Sequence, residues 1–284
     1  MGRRLPFVKW GYFLSALSKP LMAVLTFPVW IFLARTTDRL GKGLRTAARD
    51  ALLSQEATIA TKARVFSFHR AWDTVGAIAG PLLALAFLHY YPSQYKTLFY
   101  LAFIPGIISV FLIFLLKEKT KVVSTIGSGS FFSFFSYRKI AGREYKQLVA
   151  GLILFALANS SDLFLLLKAK EITGSDSITI TAYILYNLVY AVSSFPMGIL
   201  ADKAGMKKVF LFGLSLFVIV YSGFAVNNTA WVVYVLFALY GIYAASTEGI
   251  AKAWITNIAH EKNTATALGY YTSLQSVAAF LSSS

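Results

Sequence analysis

Long apolar runs alternate with short polar connections along most of the chain. A helix needs about 20 mainly apolar residues to cross the hydrocarbon core of a bilayer. Runs of that length lie near residues 7–27, 66–88, 95–117, 147–167, 178–200, 207–226 and 230–252. Two further segments complete the pattern, because 265–284 is apolar and 29–52 has helical periodicity despite many charges. The pattern therefore predicts an all-α integral membrane protein with nine transmembrane helices.

Composition supports a membrane protein and excludes several other classes. With 57% hydrophobic and 14% charged residues, the chain has too little polar surface for a soluble globule of 284 residues. The formal net charge of +15 does not predict a nucleic-acid partner, because the basic residues lie between apolar runs. The chain has no Cys, which excludes thiol catalysis and Cys-ligated metal. Without a nucleophile–base pattern, metal-ligand spacing or nucleotide loop, we expect no enzyme, cofactor or metal site.

The distribution of cations predicts the orientation in the membrane. Successive connections lie alternately on the side of the amino terminus, here called the first side, and on the opposite side. The connections on the opposite side contain only Lys96, Lys168 and Lys170. The connections on the first side contain many more cations, namely Arg3, Arg4, Lys62, Arg64, Arg70, Lys117, Lys119, Lys121, Arg138, Lys139, Arg143, Lys146, Lys203, Lys207, Lys208 and Lys262. Because cytoplasmic loops are enriched in Lys and Arg, the amino terminus is predicted to be cytoplasmic in the cell membrane.

The long connection 118–146 divides the chain. It begins with charges, continues through a Gly-Ser linker at 127–130, and then becomes aromatic and basic over 131–139. The first part is typical of a flexible linker. The second is typical of a segment in the headgroup zone beside anionic lipid. We therefore predict an amino-terminal helical bundle over 1–117 and a carboxyl-terminal bundle over 147–284.

An internal repeat relates the two halves at a numbering offset of 203. The offset places Gly2 and Arg4 on Gly205 and Lys207. It also places 49–51 on 252–254 and 66–76 on 269–279. Duplicated halves are common in transporters, and equivalent landmarks then lie a fixed distance apart. Under this repeat, the equivalent of the first helix after 146 would precede Met1.

The segment 198–208 forms a tight cationic turn between two apolar runs. Its sequence is Gly-Ile-Leu-Ala-Asp-Lys-Ala-Gly-Met-Lys-Lys. It resembles the loop motif of the major facilitator superfamily of transporters, carried here by Gly198, Asp202, Gly205, Lys207 and Lys208. In that motif the Gly residues allow close approach of helix ends, and the Asp accepts hydrogen bonds there. The resemblance implies a two-bundle fold of twelve helices, of which this chain would contain about nine and lack helices at both ends.

The region 35–50 places its charges on one side of a predicted helix. At 100° per residue these charges fall within an arc of about 140°, with Leu33, Leu40 and Leu44 opposite. The charged residues are Arg35, Asp38, Arg39, Lys42, Arg45, Arg49 and Asp50. We expect the apolar face to contact lipid and the charged face to line a watery interior, because an unpaired charge in hydrocarbon costs several kcal/mol. Asp38 and Lys42 are spaced for an ion pair, whereas Arg45, Arg49 and Asp50 could instead anchor the cytoplasmic helix end.

Two further motifs are similar to those of the same superfamily. Arg35 with Gly41 and Gly43 matches its fourth-helix pattern, which implies a role for Arg35 in proton coupling. The run 76–81 resembles a fifth-helix motif that is frequent in proton-driven exporters. There Gly76 and Gly80 would allow close helix contact and Pro81 would bend the helix during gating, although plain packing is an alternative.

Other ionisable residues lie at membrane depth, where they indicate function. Asp162 lies in a polar stretch of an apolar run and is a candidate for taking and releasing protons. Alternatively, Asp162 pairs with Lys19 or with its neighbours. Asp73 lies in the third run. Glu248 and Lys252 are four residues apart and are expected to neutralise each other.

The resemblance implies a secondary active transporter that moves a small solute by alternating access. The motif at 76–81 favours proton-coupled efflux by antiport, with Arg35, Asp38 and Asp162 in coupling and Lys19 and Arg39 as substrate contacts. Uptake of an anionic or zwitterionic nutrient by proton symport is the alternative. A hypothesis of another class is a truncated membrane remnant that transports nothing. The expected partners are a small-molecule substrate, protons and the lipid bilayer, with the protein acting as a monomer.

Overall fold

The computed structural model describes residues 4–25, 27–117, 137–159, 162–259 and 263–282. The predicted linker and most of the aromatic segment after it lie outside these residues. All regular secondary structure in the described parts is helical. The helices are α1 (Leu5–Val24), α2 (Pro28–Gln55), α3 (Lys62–Tyr90), α4 (Tyr95–Leu115), α5 (Tyr137–Ile140), α6 (Arg143–Ala158), α7 (Asp162–Thr173), α8 (Asp176–Ala204), α9 (Met206–Val226), α10 (Ala230–Ile258) and α11 (Thr264–Ser282).

The helices confirm the all-α membrane fold that the apolar runs predict. Within the described residues, six segments are long and apolar enough to span a bilayer. They are 62–90, 95–115, 143–173, 176–204, 206–226 and 230–258. The predicted span 147–167 lies within 143–173, where α6 ends at Ala158 and α7 begins at Asp162. The charged region 35–50 is helical throughout within α2, and its position inside a bilayer stays a prediction.

Two compact units make up the chain. The first comprises residues 1–52 and 80–133, and the second comprises 53–79 and 134–284. Helix α3 contributes to both, because its residues up to Ala79 belong to the second unit and those from Gly80 onwards belong to the first. The interior of each unit is therefore built from helices that are distant in sequence.

In the first unit, α1 packs closely on α2. A Cβ atom added to Gly11 would lie 2.6 Å from the carbonyl oxygen of Gly41 and 2.6 Å from the Cβ of Arg45. The guanidinium of Arg45 lies 4.1 Å from the centre of the Tyr12 ring, a cation–π contact between the same helices. Lys9 connects α1 to α4, since its Nζ donates a hydrogen bond to the carbonyl oxygen of Phe114.

The second unit has an aromatic core between α8, α9 and α10. The buried core side chains from these helices include Tyr186, Tyr190, Leu216, Val220, Phe224, Val233, Leu236, Phe237, Tyr240 and Tyr243. The hydroxyl of Tyr145 in α6 donates a 2.8 Å hydrogen bond to the carbonyl oxygen of Ala267 in α11. Burial of this much aromatic surface stabilises the packing of α8 against α10. These two helices carry most of the residues of the candidate site.

Helix positions reproduce the internal repeat. The offset of 203 carries the first residues of α1, α2 and α3 to positions 208, 231 and 265. Helices α9, α10 and α11 begin at Met206, Ala230 and Thr264, so each start agrees with the offset to within two positions. Each half of the repeat therefore contains the same succession of three long helices.

Close contacts repeat at nearly the same offset. When the offset is shortened by one position, Gly11 in α1 corresponds to Gly213 in α9. A Cβ atom on Gly213 would lie 2.7 Å from Cγ2 of Thr247 and 3.4 Å from the carbonyl oxygen of Tyr243. At the same shortened offset, Tyr243 corresponds to Gly41 and Thr247 corresponds to Arg45, the two α2 residues that Gly11 contacts. The crossing of α1 over α2 in the first unit thus has an equivalent in the crossing of α9 over α10 in the second.

Gly41 and Gly43 provide a matched test of the crossing in the first unit. A Cβ atom at Gly41 would lie 2.6 Å from the Gly11 carbonyl oxygen, whereas one at Gly43 would meet no atom within 4 Å. Gly41→Ala is expected to destabilise the protein by about 1–3 kcal/mol through overpacking. Gly43→Ala is expected to be neutral or to stabilise by up to about 1 kcal/mol, because Ala is the better helix former. The apparent melting temperature in detergent measures both, and equal shifts would contradict the close approach.

Candidate functional site

A break between α6 and α7 places a carboxylate within the second unit. Helix α6 ends at Ala158 and α7 begins at Asp162. The carbonyl oxygen of Asn159, freed at the end of α6, accepts a 3.2 Å hydrogen bond from the hydroxyl of Ser282 in α11. A carboxylate in the first turn of a helix is favoured by the helix dipole. Interrupted membrane helices of this kind typically line solute and ion sites.

Asp162 pairs with a tyrosine on α10. The hydroxyl of Tyr240 donates a 2.8 Å hydrogen bond to Oδ1 of Asp162. Lys19 Nζ lies 3.4 Å from Oδ1 of Asp38 within the first unit, and the suggested pairing of Lys19 with Asp162 stays a prediction. Ser18 adds a hydroxyl at 3.4 Å from the same Asp38 oxygen. Each of these carboxylates therefore has its partner within its own unit.

Tyrosines surround the Asp162–Tyr240 hydrogen bond. We call six of them the tyrosine cluster, namely Tyr183, Tyr186, Tyr190, Tyr221, Tyr240 and Tyr243. The Tyr240 ring centre lies 5.0 Å from that of Tyr186 and 5.1 Å from that of Tyr243. Tyr186 also lies 6.0 Å from Tyr190, and Tyr221 lies 6.5 Å from Tyr240. The rings form one connected set across α8, α9 and α10.

At the end of this set, Arg70 of α3 contacts two carboxylates. Its Nε donates a 2.5 Å hydrogen bond to the hydroxyl of Tyr190. Its Nη1 lies 3.2 Å from Oδ2 of Asp73, and its Nη2 forms an ion pair with Glu248 of α10. The ion pair between Arg70 and Glu248 joins α10 to α3, and the expected pairing of Glu248 with Lys252 stays a prediction. A guanidinium with several donors in a fixed plane can hold such an arrangement, whereas a lysine ammonium cannot.

Arg70 and the tyrosines are the site residues that sequence reasoning missed. Loop-charge counting assigned Arg70 to a cytoplasmic connection, but α3 begins at Lys62 and includes Arg70 in its third turn. Its position within the run 66–88, three residues before Asp73, was the available signal. For the tyrosines, the signal was their helical spacing at 183, 186 and 190 on α8.

Asp202 of the loop motif lies at the amino end of α3. Its Oδ1 accepts a 3.0 Å hydrogen bond from the backbone N–H of Ala63. Its Oδ2 accepts bonds from the backbone N–H and the Nε of Arg64, at 3.1 and 3.2 Å. The first N–H groups of a helix have no partner within the helix, so Asp202 caps α3 from another part of the chain. The Asp202 side chain is only 2% exposed.

Two glycines and a lysine complete the attachment of α3. Ser67 lies between Gly198 of α8 and Gly249 of α10, where added Cβ atoms would come within 2.7 Å and 3.0 Å of it. Lys62 Nζ donates a 2.8 Å hydrogen bond to the carbonyl oxygen of Thr256 near the end of α10. We call these contacts, with the Asp202 cap, the α3 latch.

The remaining predicted residues include several exposed cations. Arg35 and Arg39 on α2 are exposed, as are Lys207 and Lys208 in the first turn of α9. Gly205 has a φ of +102° between α8 and α9, a conformation that favours glycine.

The fifth-helix motif does not make the close helix contact that it would allow. In the described residues, a Cβ atom at Gly76 or Gly80 would meet nothing within 4 Å. Pro81 lies inside α3. The described residues also contain no group of three or more His, Asp or Glu that could hold a metal ion.

Comparisons with known proteins identify the class and then the family. A model of the Major Facilitator Superfamily matches residues 1–283. An uncharacterized MFS-type transporter of Methanocaldococcus jannaschii is 34% identical over 280 residues, covering 95% of this chain and 68% of that protein. An uncharacterized protein of Mycobacterium tuberculosis is 33% identical over 97 residues, covering 34% of this chain and 24% of that protein. With its apolar helices, the chain is thus a multi-pass integral membrane protein of the transporter class. It belongs to the Major Facilitator Superfamily, as the loop motif suggested.

A solved structure supports the same fold. The human organic anion transporter MFSD10 (TETRAN) matches with a TM-score of 0.83, covering 99% of this chain and 70% of that one. Its sequence identity to this chain is 14%, so the likeness concerns the fold alone. Members of the family bind small-molecule substrates within the membrane.

Proposed function

We propose that the chain is a secondary active transporter that exports a small solute in exchange for protons by alternating access. The observation that carries the proposal is the group of ionisable residues Arg70, Asp73, Asp162 and Glu248 within the second unit. Ionisable side chains are costly within membrane helices and typically mark substrate or proton pathways. The protein would act as a monomer in the cell membrane, with its amino terminus on the cytoplasmic side.

Protonation can change the contacts of both carboxylate pairs. An ionised Asp162 only accepts hydrogen bonds, whereas a protonated one also carries a donor, so the bond from Tyr240 can be rearranged. Protonation of Glu248 removes the negative charge that attracts Arg70 of α3. The contact between α3 and α10 is then weakened, which links proton uptake to helix movement.

The α3 latch supplies the element that such movement would open and close. Alternating access requires contacts at helix ends that can be broken and re-formed in each cycle. The cap from Asp202 and the bond from Lys62 to Thr256 join α3 to both α8 and α10 by a few polar contacts. We assign gating to these contacts, and bending of α3 to the segment 76–81.

The first unit contributes a second polar group to the proposal. Lys19 and Asp38 form a partly exposed ion pair, with side chains 33% and 30% exposed. Arg35 and Arg39 lie nearby on α2. We propose that Arg35 and Asp38 take part in proton coupling and that Lys19 and Arg39 contact the substrate. Gly41 would serve the packing of α2 on α1, and Gly43 would serve the movement of α2.

Symport of an anionic solute is the competing candidate. The specific observation in its favour is that MFSD10 is described as an organic anion transporter. The exposed cations on α2 are compatible with an anionic substrate as well. The two candidates differ in the direction of proton movement relative to the solute.

Proteoliposomes containing a pH-sensitive dye test the proposal. With the vesicle interior acidic, a panel of lactate, glutamate, betaine and tetraethylammonium is added outside one at a time. We expect one class to accelerate proton efflux as it enters, which is antiport, and we expect Asp162→Asn to abolish the acceleration. Asp176→Asn is the control, because Asp176 is 71% exposed and pairs with Lys170 outside the site. Proton uptake together with the solute would support symport, and no response to any compound would support the hypothesis of a non-transporting remnant.

A further inference from the structure

The tyrosine cluster has an inner part and an edge. Four of its rings are nearly inaccessible, with Tyr186, Tyr190, Tyr240 and Tyr243 between 2% and 5% exposed. Tyr183 and Tyr221 are only half-buried, and so is Asp162. Asp162 and Tyr221 both contact Tyr240, from α7 and α9 respectively. The edge of the cluster therefore combines a carboxylate with the face of an aromatic ring.

Further rings extend this edge. Phe217 lies one turn before Tyr221 on α9, with ring centres 4.2 Å apart. Phe217 also lies 5.3 Å from Tyr243 and 5.1 Å from Phe155 of α6. Phe155 is in the last turn of α6, one turn before the break that leads to Asp162. A ligand beside Asp162 would thus have apolar aromatic surface on two sides.

The charge balance of the cluster is acidic. Among the described residues, the hydrogen bonds and ion pairs named above join the cluster to the carboxylates of Asp73, Asp162 and Glu248 and to the guanidinium of Arg70. Arg70 already contacts two of these carboxylates and the Tyr190 hydroxyl. An anion here would face carboxylates and the electron-rich faces of the tyrosine rings. A cation is attracted by both.

The internal repeat shows that the fold does not require rings at these positions. Tyr221 and Tyr240 are the repeat equivalents of Lys19 and Asp38, at the same shortened offset that relates Gly213 to Gly11. The first unit thus has an ion pair of 3.4 Å where the second has two aromatic rings with centres 6.5 Å apart. Because both crossings pack closely with different side chains, the aromatic residues of the second unit reflect a specialised role rather than a packing constraint.

We propose that this edge, between Asp162 and Tyr221, binds an organic cation such as a quaternary ammonium or phosphonium with apolar substituents. The positive centre faces the Asp162 carboxylate, and the substituents pack on Tyr221, Tyr240 and Phe217. Assigning this ligand as the exported solute rests on the proposed transport function and would exclude Lys19 and Arg39 as direct contacts of that solute, whereas its binding depends on neither.

Two ions of matched shape and opposite charge test the proposal. Equilibrium dialysis of the purified full chain in detergent measures binding of tetraphenylphosphonium and of tetraphenylborate. We expect the wild-type protein to bind the phosphonium at least about tenfold more tightly, since one favourable charge contact contributes about 1.4 kcal/mol or more. Asp162→Asn should weaken phosphonium binding by about tenfold or more, and Asp176→Asn should leave it unchanged.

Variants of Tyr221 separate the ring from the hydroxyl. Tyr221→Phe keeps the aromatic face and should retain phosphonium binding within about twofold, whereas Tyr221→Leu should weaken it about threefold to tenfold. The proposal would be overturned if the protein bound the borate more tightly than the phosphonium. It would also be overturned if Asp162→Asn left both phosphonium binding and the melting temperature unchanged. If the protein bound the phosphonium but moved no solute in exchange for protons, the proposed cation site would stand and only the proposed transport function would be wrong.

Discussion

Glu248→Gln is expected to lower the initial rate of proton-coupled transport by about 30–100-fold. The substitution removes the negative charge that holds Arg70, and it leaves the guanidinium of Arg70 on α3 without its partner on α10. Breaking a buried ion pair from one side costs about 3–5 kcal/mol, and the partial exposure of this pair places its cost below that range. Solute-driven proton flux in proteoliposomes measures the effect.

A double variant separates coupling from structure. Arg70→Gln/Glu248→Gln removes both charges of the pair, and the Asp73 carboxylate that loses Arg70 is exposed to solvent, so the melting temperature should recover relative to either single variant. Transport should remain low if the pair takes part in proton coupling. The control is Lys168→Gln/Glu171→Gln, which removes a 2.9 Å ion pair within α7 that is more exposed to solvent. Transport restored to the wild-type rate in the first double variant would show that the pair is merely structural.

Features that depend on short-range periodicity were predictable from the sequence. The charges of 35–50 recur with helical spacing, and α2 is helical throughout this region. The repeat offset was accurate to within two positions, because it depends on landmarks separated along the chain rather than on packing. The loop motif identified the family because its Gly, Asp and Lys residues must meet the local geometry of one tight turn.

Features that depend on contacts between distant helices were not predictable in the same way. The i,i+4 rule relates Glu248 to Lys252 on the same helix, but it cannot predict the ion pair between Glu248 and Arg70, which lies 178 residues away in sequence. A hydropathy window averages over the polar residues near 160, so the break before Asp162 was hidden within one apolar run. Loop-charge counting treats every cation beside an apolar run as a surface residue, although α3 begins before its apolar part.

Disruption of the α3 latch is expected to have the second large effect, an increase in the accessibility of Ser67 at the centre of the latch. Asp202→Asn removes a charge that accepts hydrogen bonds from two backbone N–H groups and from Arg64. Hydrogen bonds to charged groups contribute about 1.5–3 kcal/mol each, so the population with α3 detached should rise about tenfold or more. Because the chain has no Cys, Ser67→Cys introduces a single thiol at a site that is 1% exposed within the latch. Maleimide labelling of this thiol should be about tenfold faster when Asp202→Asn is added.

Two further variants in the Ser67→Cys background identify the cause of faster labelling. Lys203→Gln changes the charge next to Asp202 on an exposed side chain and should leave the labelling rate unchanged. Lys62→Met removes the hydrogen bond to Thr256 and should accelerate labelling as Asp202→Asn does, because it releases α3 from α10 rather than from the α8 end. If Asp202→Asn left the thiol as slowly labelled as before, the cap would not hold the latch closed. Transport would then have to be gated by contacts other than those at the amino end of α3.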